Sequence, residues 1–172
     1  MYKRQLLSGI RVGKDDARVM ALGDLDEANS MIGFARSFLK LPALDTILEK
    51  VQQDLFTVGL DVIAPLQNRS RVTDDMVKAL EEHLDLLSKE LPDYRRFVLP
   101  NGSPEVASLY LARSVVRRAE RTIVKMSRSA PNLLSSVKYL NRLSSLLYVA
   151  ARYTALKTGV IEKEWVGGEE SK

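Results

Sequence analysis

Arg113, Arg117 and Glu120 carry the clearest chemical signal in the chain. They lie within residues 97–128, FVLPNGSPEVASLYLARSVVRRAERTIVKMSR. At about 100° per residue the three fall within roughly 60° of one another. They stand beside an apolar arc of Leu111, Ala112, Val115, Val116, Ala119 and Ile123. Two guanidinium groups oriented by one carboxylate suit a multiply charged anion held through paired hydrogen bonds. Arginines at i and i+4 beside a glutamate also describe an ordinary solvated helix face, and spacing alone leaves both readings open. Arg118, Arg121 and Lys125 point further round, towards solvent or a neighbouring subunit.

Composition narrows the chemistry around this helix. The 172 residues suit one domain spanning 1–172, and 45% hydrophobic with 28% charged residues fits a globular chain with a sizeable core. Cysteine is absent, which excludes disulfides, thiolate metal sites and cysteine nucleophiles. The one histidine, His83, leaves little room for zinc, a histidine-dependent triad or a di-iron pattern. The net charge of +4 permits anionic ligands but is too mixed to argue for nucleic acid. No apolar run reaches the ~20 residues that span a bilayer, and no secretory signal pattern opens the chain. These features read as a cytoplasmic protein with no membrane and no nucleic-acid partner.

The elements that must position the charged trio are helical. Residues 1–22 form an irregular N-terminal segment of loop and short extended pieces around Gly9 and Gly13. Asp24 caps a first helix to about residue 40, with Leu25, Ala28, Ile32 and Ala35 at helical spacing. A break at Leu41-Pro42 precedes a second helix over 45–63, and Thr73 caps a third to about residue 90. Ser103 as N-cap and Pro104 in the first turn start the basic helix, which runs to about residue 126. The fifth, over 133–158, turns Leu134, Leu140, Ser144, Leu147 and Ala151 inward and ends at Gly159. Asn141 sits beside that stripe, where a buried amide must find partners. The tail from residue 166 is polar and frays. Five amphipathic helices with short connections make an all-α bundle.

Three segments in this order resemble the PduO-type ATP:cob(I)alamin adenosyltransferases, over nearly the whole chain. They are RVGKDDARVMALGDLDEANSMIG, FVLPNGSPEVASLYLARSVVRRAERTIV, and YLNRLSSLLYVAARY with GVIEKEW. The resemblance implies a ferritin-like five-helix bundle assembling as a homotrimer, with active sites between subunits. It implies transfer of the 5′-deoxyadenosyl group of ATP to the Co(I) of cob(I)alamin, leaving triphosphate, with Mg²⁺ accompanying the phosphates. Cobalt is then the nucleophile, which agrees with a chain that lacks cysteine. A reductase and an adenosylcobalamin-dependent acceptor enzyme are implied partners.

Carried over residue by residue, Arg117 matches the ATP-contacting arginine, Glu120 the carboxylate near the nucleotide, and Asn141 the nucleotide-binding asparagine. Arg113 matches an arginine that pairs across the subunit interface with an aspartate placed here at Asp26. Phe97 matches an aromatic that packs below the corrin ring and excludes the lower axial ligand. Lys14 would help hold phosphate, with Ser8, Gly9 and Arg11 in the adjoining loop. Family members carry a T-x-T-G-D-x-G-x-T segment just upstream, where this sequence reads MYKRQLLSGIRV. A missing phosphate loop removes N–H donors that cradle an anion. A shortened chain, a misplaced start codon and a member with weakened ATP binding all fit this departure, and a catalytically weakened corrinoid or nucleotide carrier on the same scaffold is the alternative reading.

Overall fold

The computed structural model describes residues 3–5, 9, 11–63, 69–92 and 97–165. A small antiparallel hairpin, β1 (Lys3–Gln5) and β2 (Arg11–Gly13), precedes five helices. These are α1 (Ala17–Arg36), α2 (Pro42–Ile63), α3 (Asp74–Ser88), α4 (Pro104–Ser127) and α5 (Leu134–Thr158), the last entered through a 3₁₀ turn at Pro131–Leu133. The α4 and α5 helices pack most extensively on each other. On the other side α4 packs against α1, while α5 packs against α3. The bundle is all-α in its core, as the apolar spacing requires.

Several boundaries differ from those read in the sequence. The first helix starts at Ala17, not after Asp24, so residues 17–22 are not irregular. Asp16 is the cap: its carboxylate accepts from the Arg18 amide at 2.9 Å and pairs with the Arg18 guanidinium at 2.8 Å. That bond holds the Asp16 carboxyl down at about 2. Gly23 lies inside the helix, where burial of Ala21 and Leu25 outweighs its weak propensity. Pro42 begins α2 instead of breaking before it, since proline suits the first helical position. Ser103 stands at the N-cap of α4, but its hydroxyl makes no cap bond and is buried without a partner.

The core also corrects two expected residues. Leu111 is 49% exposed and Leu134 54% exposed. Leu111 lies about 100° from Ala112, at the margin of the buried stripe, while Leu134 is the first residue of α5, before the helix is fully covered. Inside, α5 supplies the spine through Tyr139, Leu140, Leu143, Leu146, Leu147 and Ala150, all fully buried. The two buried carboxylates of α2, Asp54 and Asp61, are partnered, whereas the Thr154 hydroxyl and the Asn29 side-chain oxygen are buried without a hydrogen bond. The Tyr139 hydroxyl donates to Asp54 at 3.0 Å, and burial pushes it far above the usual tyrosine range. Asp61 is wholly buried on α2 and accepts from the Ser70 hydroxyl, the Arg71 amide at 2.9 Å and the Arg71 guanidinium at 3.2 Å. It thereby fastens the segment leading into α3 onto α2. No helix among the described residues is long and apolar enough to cross a membrane.

Candidate active site

The edges of α4 face different neighbours. Arg118 turns towards α1, where it pairs with Glu27 and approaches Asp24 at 3.6 Å; Thr122 donates to the same Asp24 at 2.5 Å. Arg118 is thus a contact to α1, not a side chain directed only at solvent. Two residues further on, about 160° around the helix, Glu120 turns towards α5. There the Asn141 amide donates to its Oε1 at 2.9 Å. Asn141 is exposed, not buried, and Glu120 is its partner. Both line an open cleft of about 650 Å³ between α4, α5 and the start of α3, together with Asp74, Asp75 and Arg142.

Arg113 and Arg117 line an adjoining cleft of about 320 Å³ with Arg142, Ser144 and Tyr148. Arg113 stacks over the Tyr148 ring, its guanidinium carbon 5.4 Å from the centroid, which fixes the planar group without spending its hydrogen-bond donors. Arg117 is exposed. The two clefts share Arg142, so three guanidinium groups and the Glu120–Asn141 pair border one continuous surface of α4 and α5. Such a surface can hold a polyanion and fix the orientation of a polar ring system beside it.

The other expected residues lie elsewhere. Gly9 is exposed with φ +79, Arg11 is exposed in β2 and Lys14 is exposed after it, while Ser8 lies outside the described residues. The groove at this end is lined by Asp16, Arg18, Arg118, Arg121 and Lys125, and does not include Glu120 or Asn141. Asp26 is exposed on α1. Among the described residues no ion pair or hydrogen bond joins it to Arg113 within the chain. Phe97 is 80% exposed on the loop before α4, its carbonyl accepting from the Trp165 amide at 2.6 Å. One chain therefore brings Arg113, Arg117, Glu120 and Asn141 together. It leaves the N-terminal residues and Asp26 on another side.

Sequence reasoning missed Arg142, Tyr148 and Arg152, although all three sit in the quoted α5 segment. The signal available was their helical spacing from Asn141: Arg142 follows it directly, and Tyr148 and Arg152 recur on its face two and three turns further on. It also missed Asp61, whose partners are nine or more residues away.

The sequence model described as cobalamin adenosyltransferase matches residues 3–154. The chain belongs to the cobalamin adenosyltransferase family. Among its relatives, the corrinoid adenosyltransferase of Mycobacterium leprae is 40% identical over 154 residues, covering 83% of this chain and 80% of that one. The corrinoid adenosyltransferase of Bacillus subtilis is 34% identical over 164 residues, covering 92% and 85%. A solved variant of the PduO-type ATP:corrinoid adenosyltransferase from Lactobacillus reuteri, complexed with cobalamin and ATP, superposes with a TM-score of 0.87. It is 29% identical, over 95% of this chain and 93% of that one.

Proposed function

We propose that this cobalamin adenosyltransferase moves the 5′-deoxyadenosyl group of ATP onto the Co(I) of cob(I)alamin, forming adenosylcobalamin and releasing triphosphate. The Glu120–Asn141 hydrogen bond beside Arg117 is the observation that carries the site assignment. In the reaction a Co–C5′ bond forms as the C5′–O bond to the triphosphate breaks, so the electron pair of Co(I) ends in the new bond and negative charge grows on the leaving group. The protein's task is then orientation and charge stabilisation. Arg117 takes the phosphates. Asn141, held by Glu120, takes the nucleotide, and Phe97 covers the lower face of the corrin to keep out a ligand there. Mg²⁺ would ride on the triphosphate oxygens, since such hard cations lean on phosphate and need few protein ligands. Among the described residues no group of three histidine, cysteine, aspartate or glutamate side chains could hold a metal.

The division of the expected residues between two sides of the chain supports a site completed by a second copy. In a homotrimer Asp26 of one subunit would meet Arg113 of the next, bringing Ser8, Gly9, Arg11 and Lys14 to the phosphates bound by Arg117. A cytoplasmic setting suits an enzyme that consumes ATP, receives reduced corrinoid from a reductase and passes its product to an acceptor enzyme. The test is an anaerobic spectrum of the chain with chemically reduced cobalamin, Mg²⁺ and ATP, alongside its mass in solution. Decay of the Co(I) band into adenosylcobalamin by a trimer is expected, and Arg117→Ala abolishes it while the bundle stays folded. Cobalamin binding without product would favour the carrier reading, and a monomeric mass would remove the Asp26–Arg113 contact.

A further inference from the structure

We propose that Glu162 is a positioning residue that locks the segment following α5 against the loop carrying Phe97, and so sets where that ring stands. The inference rests on the adenosyltransferase reading above. After Gly159, at φ +71, the chain leaves α5 and runs alongside residues 97–99 in the opposite direction. The Leu99 amide donates to the Lys163 carbonyl at 2.8 Å, the Trp165 amide donates to the Phe97 carbonyl at 2.6 Å, and Val98 bridges Glu164. Gly102, at φ +137, lets the loop close on this strap, because a Cβ there would stand 3.1 Å from the Val160 side chain.

A two-stranded ribbon this short is marginal by itself. Its anchor is Glu162. Alternation along the strap turns Ile161, Lys163 and Trp165 outward and Glu162 inward, where its side chain is only 7% exposed. One carboxylate oxygen accepts from the Tyr110 hydroxyl of α4 at 3.1 Å, and the other from Arg152 Nε of α5 at 3.3 Å. The same guanidinium donates to the Pro92 carbonyl at 2.7 Å, upstream of the Phe97 loop. Arg152 also lies 6.0 Å from the centroid of the Tyr148 ring over which Arg113 stacks. One buried carboxylate thus ties strap, loop and both central helices together. Its influence on the substrate passes through Phe97.

Trp165 is the sole tryptophan of the sequence and lies on the strap, so its fluorescence reports the clamp directly. The experiment compares wild type, Glu162→Gln, Tyr110→Phe and Phe97→Ala. It measures amide exchange at Leu99 and Trp165, acrylamide quenching of Trp165, KM for each substrate, and the fraction of four-coordinate Co(II) in bound cob(II)alamin with ATP. In Glu162→Gln, exchange at both amides and Trp165 quenching rise, exchange by about tenfold or more, as expected for losing a hydrogen bond to a charged group. KM for cob(I)alamin rises with it and the four-coordinate fraction falls, while KM for ATP is unchanged. Tyr110→Phe keeps the ion pair and gives a smaller change in the same direction, which tests the clamp if Glu162→Gln folds poorly. Unchanged exchange in Glu162→Gln overturns the clamp. Raised exchange with unchanged KM for cob(I)alamin overturns the positioning role. Failure of the parent reading looks different, since the wild type then gives no turnover at all; failure of the Phe97 role alone shows as Phe97→Ala leaving KM for cob(I)alamin at the wild-type value while the exchange effect of Glu162→Gln persists. That result overturns the positioning role through the corrin and leaves the clamp standing.

Discussion

Replacing Asn141 by aspartate converts a donor facing Glu120 into a second carboxylate at the same place. The wild-type separation is 2.9 Å. Two unit charges at that distance repel by about 1.4 kcal/mol in bulk water and by about 6 kcal/mol at an effective dielectric of 20. Asn141 is exposed and Glu120 half-buried, so the lower part of that range applies, about 2 kcal/mol. At about 1.4 kcal/mol per tenfold, that is roughly a 30-fold loss of ATP affinity near pH 8 if the pair orients the nucleotide. The repulsion also raises the pKa of the carboxylate pair by about one unit or more. As pH falls towards 5, one of the two takes up a proton and becomes a donor to the other, restoring the lost bond. Calorimetric ATP titration of Asn141→Asp between pH 5 and 8 should therefore show affinity recovering on acidification relative to wild type. A variant whose affinity tracks the wild type at every pH would refute the idea that this pair meets the nucleotide.

Two further predictions concern the scaffold. Asp61→Asn turns an acceptor of buried N–H and O–H groups into a mixed donor, removes the negative charge that faces the Arg71 guanidinium, and should cost about 3 kcal/mol. Urea unfolding at fixed chain concentration checks this, and a loss below about 1 kcal/mol would contradict it. Asp16→Ala removes the α1 cap and should cost about 1 kcal/mol at neutral pH. Because the folded carboxyl is held at about 2 against an ordinary value of 3.8, the wild-type advantage is present above pH 4. It fades as pH drops towards 2. Denaturation curves of both proteins from pH 7 to 2 should converge at the acid end.

The five helices were legible because their apolar positions recur with one period, and local spacing is all that such a reading needs. Their ends were less so. Asp16 and Asp24 are both good caps by type, and only the packing of α1 against Thr122 and Arg118 decides between them. The Arg113, Arg117 and Glu120 edge was visible in the sequence, but its meaning came from resemblance, since nothing local says that Asn141, 21 residues away, completes it. Glu162 was hidden for the same reason: its partner Tyr110 is 52 residues distant. The hairpin before α1 is too short for period-two alternation to register.

The engagement of α4 on so many edges has a consequence for how the sequence can drift. One edge is spoken for by α1 through Arg118 and Thr122, the next by the apolar interior, the next by Glu120 and Asn141, and the last by the Arg113–Tyr148 stack. An ordinary amphipathic helix tolerates substitution every three to four residues, on its wet side, and α3, with Asp75, Lys78, Glu82 and Asp85 exposed, should do so here. Along the middle of α4 that rhythm should vanish. A survey of accepted substitutions would find a nearly unbroken intolerant stretch from Arg113 to Thr122, so that neutral variation accumulates around this helix rather than on it.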